Sequence, residues 1–219
     1  MQTNGHIRWI LLALIVYGCR TSHDPLAGFP HVVLWAWERP EHLTYIDRDT
    51  GVAVLARTIS WRDGRVTSHP RYQPAKLPDG TPTIAVIRVE SQSLPLPDPA
   101  TIASEILEVS ATPRIRAIQI DFDARQSERE WYAALLETLH HRLPPNVALT
   151  ITALASWCLG DPWIKSLPIA DAVPMLFRMG HGEPTGITDF STPICRFERR
   201  HLARRSAAFS PPQPPRIYF

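Results

Sequence analysis

The 219-residue sequence lacks several features that would identify a function directly. No apolar run reaches the roughly 18 residues that a membrane-spanning helix requires. The nine histidines form no HExxH or other metal-binding spacing, and no GxSxG motif or phosphate-binding glycine loop occurs. These absences leave no support for a zinc protease, a serine hydrolase or a nucleotide-phosphate site. With 44% hydrophobic residues, the chain nevertheless has enough apolar side chains to form a core.

Net charge is also small, because 23 Lys and Arg nearly balance 21 Asp and Glu, for a formal charge of +2. This balance hides two unlike parts. Residues 196–219 contain six arginines, one acid and the run PPQPP, whereas acids outnumber bases in the rest of the chain. Three interpretations of this tail stay open: a basic segment that attracts phosphates, an inert disordered terminus, or out-of-frame sequence after a truncation. We expect no nucleic-acid partner.

The first nineteen residues resemble an export signal. A polar start ending in Arg8 precedes the apolar run 9–17, whose length is typical of a secretory signal and too short for a bilayer span. Val16-Tyr17-Gly18-Cys19 then resembles the bacterial lipoprotein cleavage box. We expect residues 1–19 to be a lipoprotein signal peptide, with Cys19 lipidated and the protein anchored to a membrane of the cell envelope. An ordinary cleaved signal or an uncleaved anchor is the alternative.

The two remaining cysteines, Cys158 and Cys195, form an even pair in an oxidising compartment. A disulfide between them and two free thiols are both compatible with the sequence.

Strand-like and helix-like patterns alternate over residues 20–195. The six apolar runs that predict strands are His31–Trp37, Gly51–Trp61, Thr83–Glu90, Ile115–Phe122, Val147–Leu154 and Ala172–Phe177. One helix is predicted from Asp98-Pro99 to Pro113, and a second from a capping box of Ser127 and Glu130 to about Arg142. A short helix is predicted from Asp161-Pro162 to Leu167, and residues 62–82 predict a loop.

This alternation predicts an α/β fold with a parallel sheet, either a doubly wound sheet or a (β/α)-barrel. No glycine-rich loop follows the first strand, which argues against a dinucleotide-binding fold. Several predicted strands end in charged or aromatic groups, as is typical of active sites in barrels. These groups are Trp37-Glu38, Arg57, Arg88, Glu90, Asp121, Asp123, Trp157 and Arg178. We predict a TIM-like barrel over residues 20–195, incomplete because about six strand units fall short of eight.

Asp121 and Asp123 form the strongest candidate site. Side chains two positions apart on a strand point the same way, so both carboxylates are expected to face one cavity. Repulsion between their like charges would favour one carboxyl group that donates a proton beside one that stays ionised. The alternatives are a turn cap, an ion pair with Arg125 or Arg129, or a site for a hard cation.

Other candidates lie at the ends of neighbouring strands. Glu90 is expected to be the second carboxylate of a glycosidase pair, and its alternative is an ion pair with Arg88 or Arg57. The candidate substrate-binding residues are Trp35, Trp37, Glu38, Trp157 and Arg178. Core packing is the alternative for each Trp. No cofactor or metal is predicted.

Two resemblances extend these expectations. AIQIDFD, residues 117–123, resembles the GIDIDWE pattern of chitinase-like glycoside hydrolases, which are barrels with this motif on the fourth strand. The resemblance assigns Asp121 to the assisting Asp and Asp123 to the proton-donating Glu, while Gln119 replaces another Asp. Five longer motifs are similar to an uncharacterised bacterial family of exported proteins and lipoproteins related to barrel glycosidases: VVLWAWERPE, IAVIRVE, IQIDFDARQSERE, ALTITALASWCLGD and AVPMLFRMG. Members generally continue past the point where the Arg-rich tail begins here, which implies a truncation.

We therefore expect an envelope lipoprotein with a glycosidase-like barrel that hydrolyses a carbohydrate polymer. The alternatives are a non-catalytic lipoprotein that binds glycans or has a structural role, and an inactive truncated fragment. The sequence leaves the oligomeric state open.

Overall fold

The computed structural model describes residues 25–112, 114–154, 156–157, 161–175 and 217–218. The signal segment with Cys19, the pair Cys158 and Cys195, and Arg178 lie outside the described residues. The lipidation site, the disulfide and the role of Arg178 therefore stay predictions.

Within the described ranges, the chain forms ten strands and two α-helices. The strands are β1 Val32–Ala36, β2 Glu41–His42, β3 Thr50–Arg62, β4 Arg65–Pro70, β5 Ala75–Lys76, β6 Thr83–Ser91, β7 Ile115–Asp121, β8 Ala148–Leu154, β9 Asp171–Met175 and β10 Ile217–Tyr218. The helices are α1 Pro99–Ser110 and α2 Arg129–Arg142, and two 3-10 turns cover Gln126–Glu128 and Pro162–Ser166. None of these helices is long and apolar enough to cross a membrane.

A curled parallel sheet forms the body of the molecule. Six strands lie side by side in the order β1-β3-β6-β7-β8-β9, and each neighbouring pair is parallel. With α1 and α2 they form a half-barrel, which confirms the predicted α/β class and is consistent with an incomplete barrel. At the first edge, the short β10 pairs in parallel with β1, although the sequence shows no strand pattern in that terminal segment.

Apolar side chains cover both faces of this sheet. On the outer face, Ile102 and Ile106 of α1 and Leu135 of α2 belong to the same buried cluster as Ile118 and Ile120 of β7. This packing explains the helical spacing of apolar residues in the two helices. On the inner face, a smaller buried cluster joins side chains from β1, β3, β6, β7 and β8, with Trp35 and Trp37 packed against it.

The helix starts are set by capping contacts. The Asp98 side chain accepts a hydrogen bond from the backbone N–H of Ala100, as predicted for the start of α1. The capping box predicted from Ser127 and Glu130 is wrong. Instead, Glu128 Oε2 accepts from the backbone N–H of Arg125 at 2.8 Å, because a 3-10 turn over Gln126–Glu128 precedes α2.

The loop predicted over residues 62–82 is also wrong, because it contains β4 and β5. β4 returns antiparallel along the second half of β3, through a two-residue turn in which Asp63 and Gly64 have φ values of 52° and 75°. An Asp-Gly pair with both φ positive is typical of a tight hairpin turn. The side chains of β4 are half-buried or exposed, so this strand lacks the apolar run by which strands are recognised.

Two further expectations change in detail. Arg57 lies in the middle of β3 and not at its end, because the strand continues to Arg62. The short helix expected after Asp161 is a 3-10 turn over Pro162–Ser166.

Candidate functional site

The carboxylates of Asp121 and Asp123 reach the inner face because Phe122 between them is anchored on the outer face. The Phe122 ring packs against Trp61, Trp131 and Tyr132, with centroid distances of 6.2, 5.7 and 5.1 Å. Alternation along the chain then directs its two neighbours to the opposite face. The aromatic contacts behind the site therefore orient the two carboxylates in front of it.

One cavity of about 470 Å³ lies at the C-terminal ends of the parallel strands. Its lining includes three of the predicted carboxylates, Glu90, Asp121 and Asp123, together with Trp37. The remaining lining residues are Arg88, Val89, Ser91, Phe122, Arg125, Glu128 and Met175. The strand register brings these groups together, since Arg88 of β6 is the direct neighbour of Asp121 on β7.

Two of the three carboxylates in the cavity have defined partners. Arg88 Nε lies 2.8 Å from Glu90 Oε1, in an ion pair whose side chains are 48% and 36% exposed. Thr152 on the next strand donates a hydrogen bond to Asp121 Oδ1 at 2.9 Å. Asp123 is exposed, and no ion pair within the described residues involves its carboxylate. The three carboxylates therefore differ in their partners and their exposure.

A buried tyrosine lies behind the two aspartates. Tyr132 of α2 is fully buried, and its hydroxyl has no hydrogen-bond partner among the described residues. Burial raises the pKa of this hydroxyl well above its usual value of 10.0, and the negative charges of Asp121 and Asp123 raise it further. Tyr132 therefore stays neutral, and it supports the site from behind through its ring contact with Phe122.

Gln119 occupies the layer below Asp121 on the same strand. Its side chain is completely buried, and neither amide atom has a hydrogen-bond partner in the described part of the chain. An uncompensated buried amide costs free energy. At this position the chitinase-like pattern has an acid, so the half-barrel carries a neutral group there instead of another charge.

The predicted sugar-binding residues have unlike surroundings. Trp35 and Trp37 stack on each other, with centroids 4.9 Å apart and planes 13° from parallel, and Trp37 lines the cavity. Glu38 points elsewhere, since its Oε1 accepts the backbone N–H groups of Tyr72 and Gln73. Trp157 is 3% exposed and packs edge-on against Trp163 at 5.1 Å. Neither Glu38 nor Trp157 lines the cavity.

The alternatives for the charged candidates are partly resolved. Glu90 pairs with Arg88, whereas Arg57 pairs with Glu105 and Glu108 of α1. Arg129, a predicted partner of the aspartates, instead pairs with Asp161.

Sequence reasoning missed Thr152 and Glu128 as parts of this site. Alternation in the β8 run ALTITAL places Thr152 on a common face with Thr150, which is a signal that could have identified it. Glu128 carries no such signal, since its position depends on the 3-10 turn before α2. Among the residues that the structure describes, no group of three or more His, Cys, Asp or Glu side chains is arranged to hold a metal ion.

Comparison with known proteins relates part of the chain to a protein family. A family model described as a domain of unknown function (DUF3142) matches residues 79–173, a segment that runs from just before β6 into β9 and contains Glu90, Asp121 and Asp123. No curated protein and no solved structure matches the chain. The segment that carries the carboxylates of the cavity is therefore similar to a protein family whose own function is unknown.

Proposed function

We propose that this protein is a glycosidase-like hydrolase that acts on a carbohydrate polymer of the cell envelope. One observation carries the proposal: Glu90, Asp121 and Asp123 line a single cavity beside the indole of Trp37. Paired carboxylates at the C-terminal ends of parallel strands are the usual equipment for glycoside hydrolysis. The apolar faces of sugar rings pack well on a flat indole.

In this mechanism Asp123 is the general acid, since it is the most exposed of the three carboxyl groups and can approach a bound sugar. Its proton passes to the glycosidic oxygen while the bond from that oxygen to the anomeric carbon breaks. Glu90, oriented by Arg88, removes a proton from the water that adds to the anomeric carbon. The charge of Asp121, held by Thr152, stabilises the positive charge that develops on the sugar.

Hydrolysis of chitin-, peptidoglycan- and glucan-type oligosaccharides by the full chain tests this proposal. We expect release of reducing ends from at least one class, and a loss of at least about 100-fold in kcat for Asp123→Asn, the usual size of a general-acid effect. Asp79→Asn is the matched control, because Asp79 is fully exposed and lies outside the cavity. Wild-type turnover by Asp123→Asn would refute the role assigned to it.

A non-catalytic glycan-binding protein is the second candidate, and the Arg88–Glu90 ion pair favours it. This ion pair occupies an oxygen of the carboxylate that the hydrolytic mechanism assigns to the attacking water. Binding of an oligosaccharide without any turnover, in wild type and Asp123→Asn alike, would support this candidate. If the protein shows no binding and no turnover, the result would instead support an inactive fragment.

We also propose that the protein is exported and anchored to a bacterial membrane through a lipid on Cys19. The basis is the lipoprotein-like sequence of residues 1–19. In bacterial cells, a labelled fatty acid should be incorporated into the wild-type chain and not into Cys19→Ala. Equal labelling of both would refute lipidation at this residue.

A further inference from the structure

We propose that His69 and Tyr72 form an outer sugar-binding platform at the rim of the cavity, so that the protein binds long glycan chains and not isolated sugars. This inference rests on the carbohydrate ligand of the proposed function and adds the length of that ligand. Tyr72 is 70% exposed, and its ring stacks on His69 with centroids 5.0 Å apart and planes 10° from parallel.

The strand register places this pair on the same face of the sheet as the carboxylates. His69 of β4 is the direct neighbour of Thr58 on β3, Thr58 is the neighbour of Arg88 on β6, and Arg88 is the neighbour of Asp121. Directly opposed residues project on the same face of a sheet. His69 and Asp121 are therefore three strand spacings apart, about 14 Å along one continuous row.

The opposite face of the hairpin is already occupied, which confirms this orientation. Arg57, which precedes Thr58, contacts Glu105 of α1 and the hydroxyl of Ser68, which precedes His69. Arg57 and Ser68 therefore point outward. Ile59 belongs to the buried outer cluster. By alternation, Thr58 and His69 point inward.

The loop that carries Tyr72 is held in place by contacts to the end of β1. Glu38 Oε1 accepts the N–H groups of Tyr72 at 3.1 Å and Gln73 at 2.9 Å. Arg71 donates to the carbonyl oxygens of Ala36 at 2.8 Å and Gln73 at 2.6 Å. A loop that is ordered before binding presents its aromatic ring at a low entropic cost.

These contacts give Glu38 a role other than the direct sugar contact expected from the sequence. It is a positioning residue: it follows Trp37 directly in the chain and holds the backbone of Tyr72 next to that segment. Two stacked aromatic pairs thus follow the same side of the site: Trp37, which lines the cavity and stacks on Trp35, and His69 with Tyr72 at the rim. A glycan chain whose reacting bond lies at Asp121 and Asp123 can extend across both.

Binding of chitin- and glucan-type disaccharides and hexasaccharides, measured by calorimetry, tests the platform. The measurement uses the full chain carrying Asp123→Asn, so that bound sugars are not consumed. Adding Tyr72→Ala should weaken hexasaccharide binding about tenfold, the effect of one lost aromatic stacking contact, and leave disaccharide binding unchanged. Tyr72→Phe keeps the ring and should bind like the parent, and Glu38→Ala should show part of the same length-dependent loss.

Tyr45→Ala is the matched control, because Tyr45 is a comparably exposed tyrosine, 78% accessible, in the segment before β3. Equal hexasaccharide affinity in the Tyr72→Ala and Tyr45→Ala proteins would overturn the platform. An equal loss for disaccharides, or no binding of any of these sugars to the parent protein, would also overturn it. Length-dependent binding without hydrolysis by the wild type would reject the proposed catalysis and keep the platform. Hydrolysis by the wild type, together with unchanged hexasaccharide binding after Tyr72→Ala, would reject the platform and keep the proposed catalysis.

Discussion

The hydroxyl of Thr152 donates a 2.9 Å hydrogen bond to Asp121 Oδ1, and so joins two neighbouring strands through a candidate catalytic carboxylate. Thr152 itself is 1% exposed. A hydrogen bond between a buried hydroxyl and a carboxylate contributes more to stability than one between neutral groups. This contact therefore links the stability of the half-barrel to the geometry of its candidate site.

Thr152→Val removes this hydrogen bond while conserving the shape of the side chain. We expect the free energy of unfolding to fall by about 1.5–3 kcal/mol, the range for hydrogen bonds to charged groups, as measured by urea denaturation. Thr150→Val is the matched control, since Thr150 donates to the neutral carbonyl of Ile118 at 3.3 Å, and it should cost about 1 kcal/mol. Equal losses in the two variants would contradict the special contribution of Asp121.

Arg57 should anchor α1 to the hairpin of β3 and β4. Its Nη1 lies 2.8 Å from Glu105 and 3.1 Å from Glu108, and its side chain is 18% exposed. Arg57→Met should lower the free energy of unfolding by about 1–3 kcal/mol, because two carboxylates and Ser68 lose a donor. Glu108→Gln should change it by less than about 1 kcal/mol, since Glu108 is 64% exposed. A larger effect of Glu108→Gln would show that Arg57 is not the anchor.

Tyr132 should make the protein less stable in alkaline solution. Because the pKa of its hydroxyl is raised in the folded state, the unfolded chain loses this proton above about pH 10 while the folded chain keeps it. The free energy of unfolding then falls as the pH rises, by up to about 1.4 kcal/mol per pH unit from this group. Tyr132→Phe should reduce that slope between pH 10 and 11, as judged by urea midpoints.

At neutral pH the same substitution should be neutral or stabilising, by up to about 1 kcal/mol, because the removed hydroxyl is buried without a described partner. A marked loss of stability at neutral pH would show that the hydroxyl is bonded in solution.

Gly51 should tolerate no side chain while Phe29 packs against it. An added Cβ would lie 2.7 Å from Cε1 and 3.1 Å from Cζ of the Phe29 ring, and Phe29 is 6% exposed. Gly51→Ala should therefore lower the thermal midpoint, at a cost of about 1–3 kcal/mol for overpacking. In a Phe29→Leu background the cost should shrink, because leucine lacks the ring atoms that clash. Additive costs in the double variant would argue against this contact.

Local sequence patterns predicted most of the secondary structure correctly. Strands such as β6 and β8 are buried on both faces, so their apolar runs are continuous and easily recognised. The exposed strand β4 lacks this signal and was predicted as loop, although its Asp63-Gly64 turn was visible in the sequence. The start of α2 was misplaced because Ser127 and Glu130 match a capping box by spacing alone, whereas Glu128 makes the contact.

The candidate site was predictable in its residues and not in their contacts. Asp121, Asp123 and Glu90 follow buried runs, so strand ends located them. Glu38 and Trp157 share that signal yet have other surroundings, since one binds the backbone of the loop at Tyr72 and the other is buried against Trp163. Position at a strand end does not specify which way a side chain turns once the strand is over.

By itself, the sequence determined the alternation of strands and helices and, within β7, the common face of Gln119 and Asp121, because side-chain direction along a strand follows from backbone geometry. Asp123 follows the end of β7, and it shares that face because Phe122 is anchored on the other side of the sheet. Only the tertiary structure decided which distant residues meet there. Arg88 lies beside Asp121, and Thr152 binds it, through strand register. The backbone of Tyr72 is held by Glu38, which comes from another part of the chain. Such pairings depend on how strands align side by side, which local patterns do not encode.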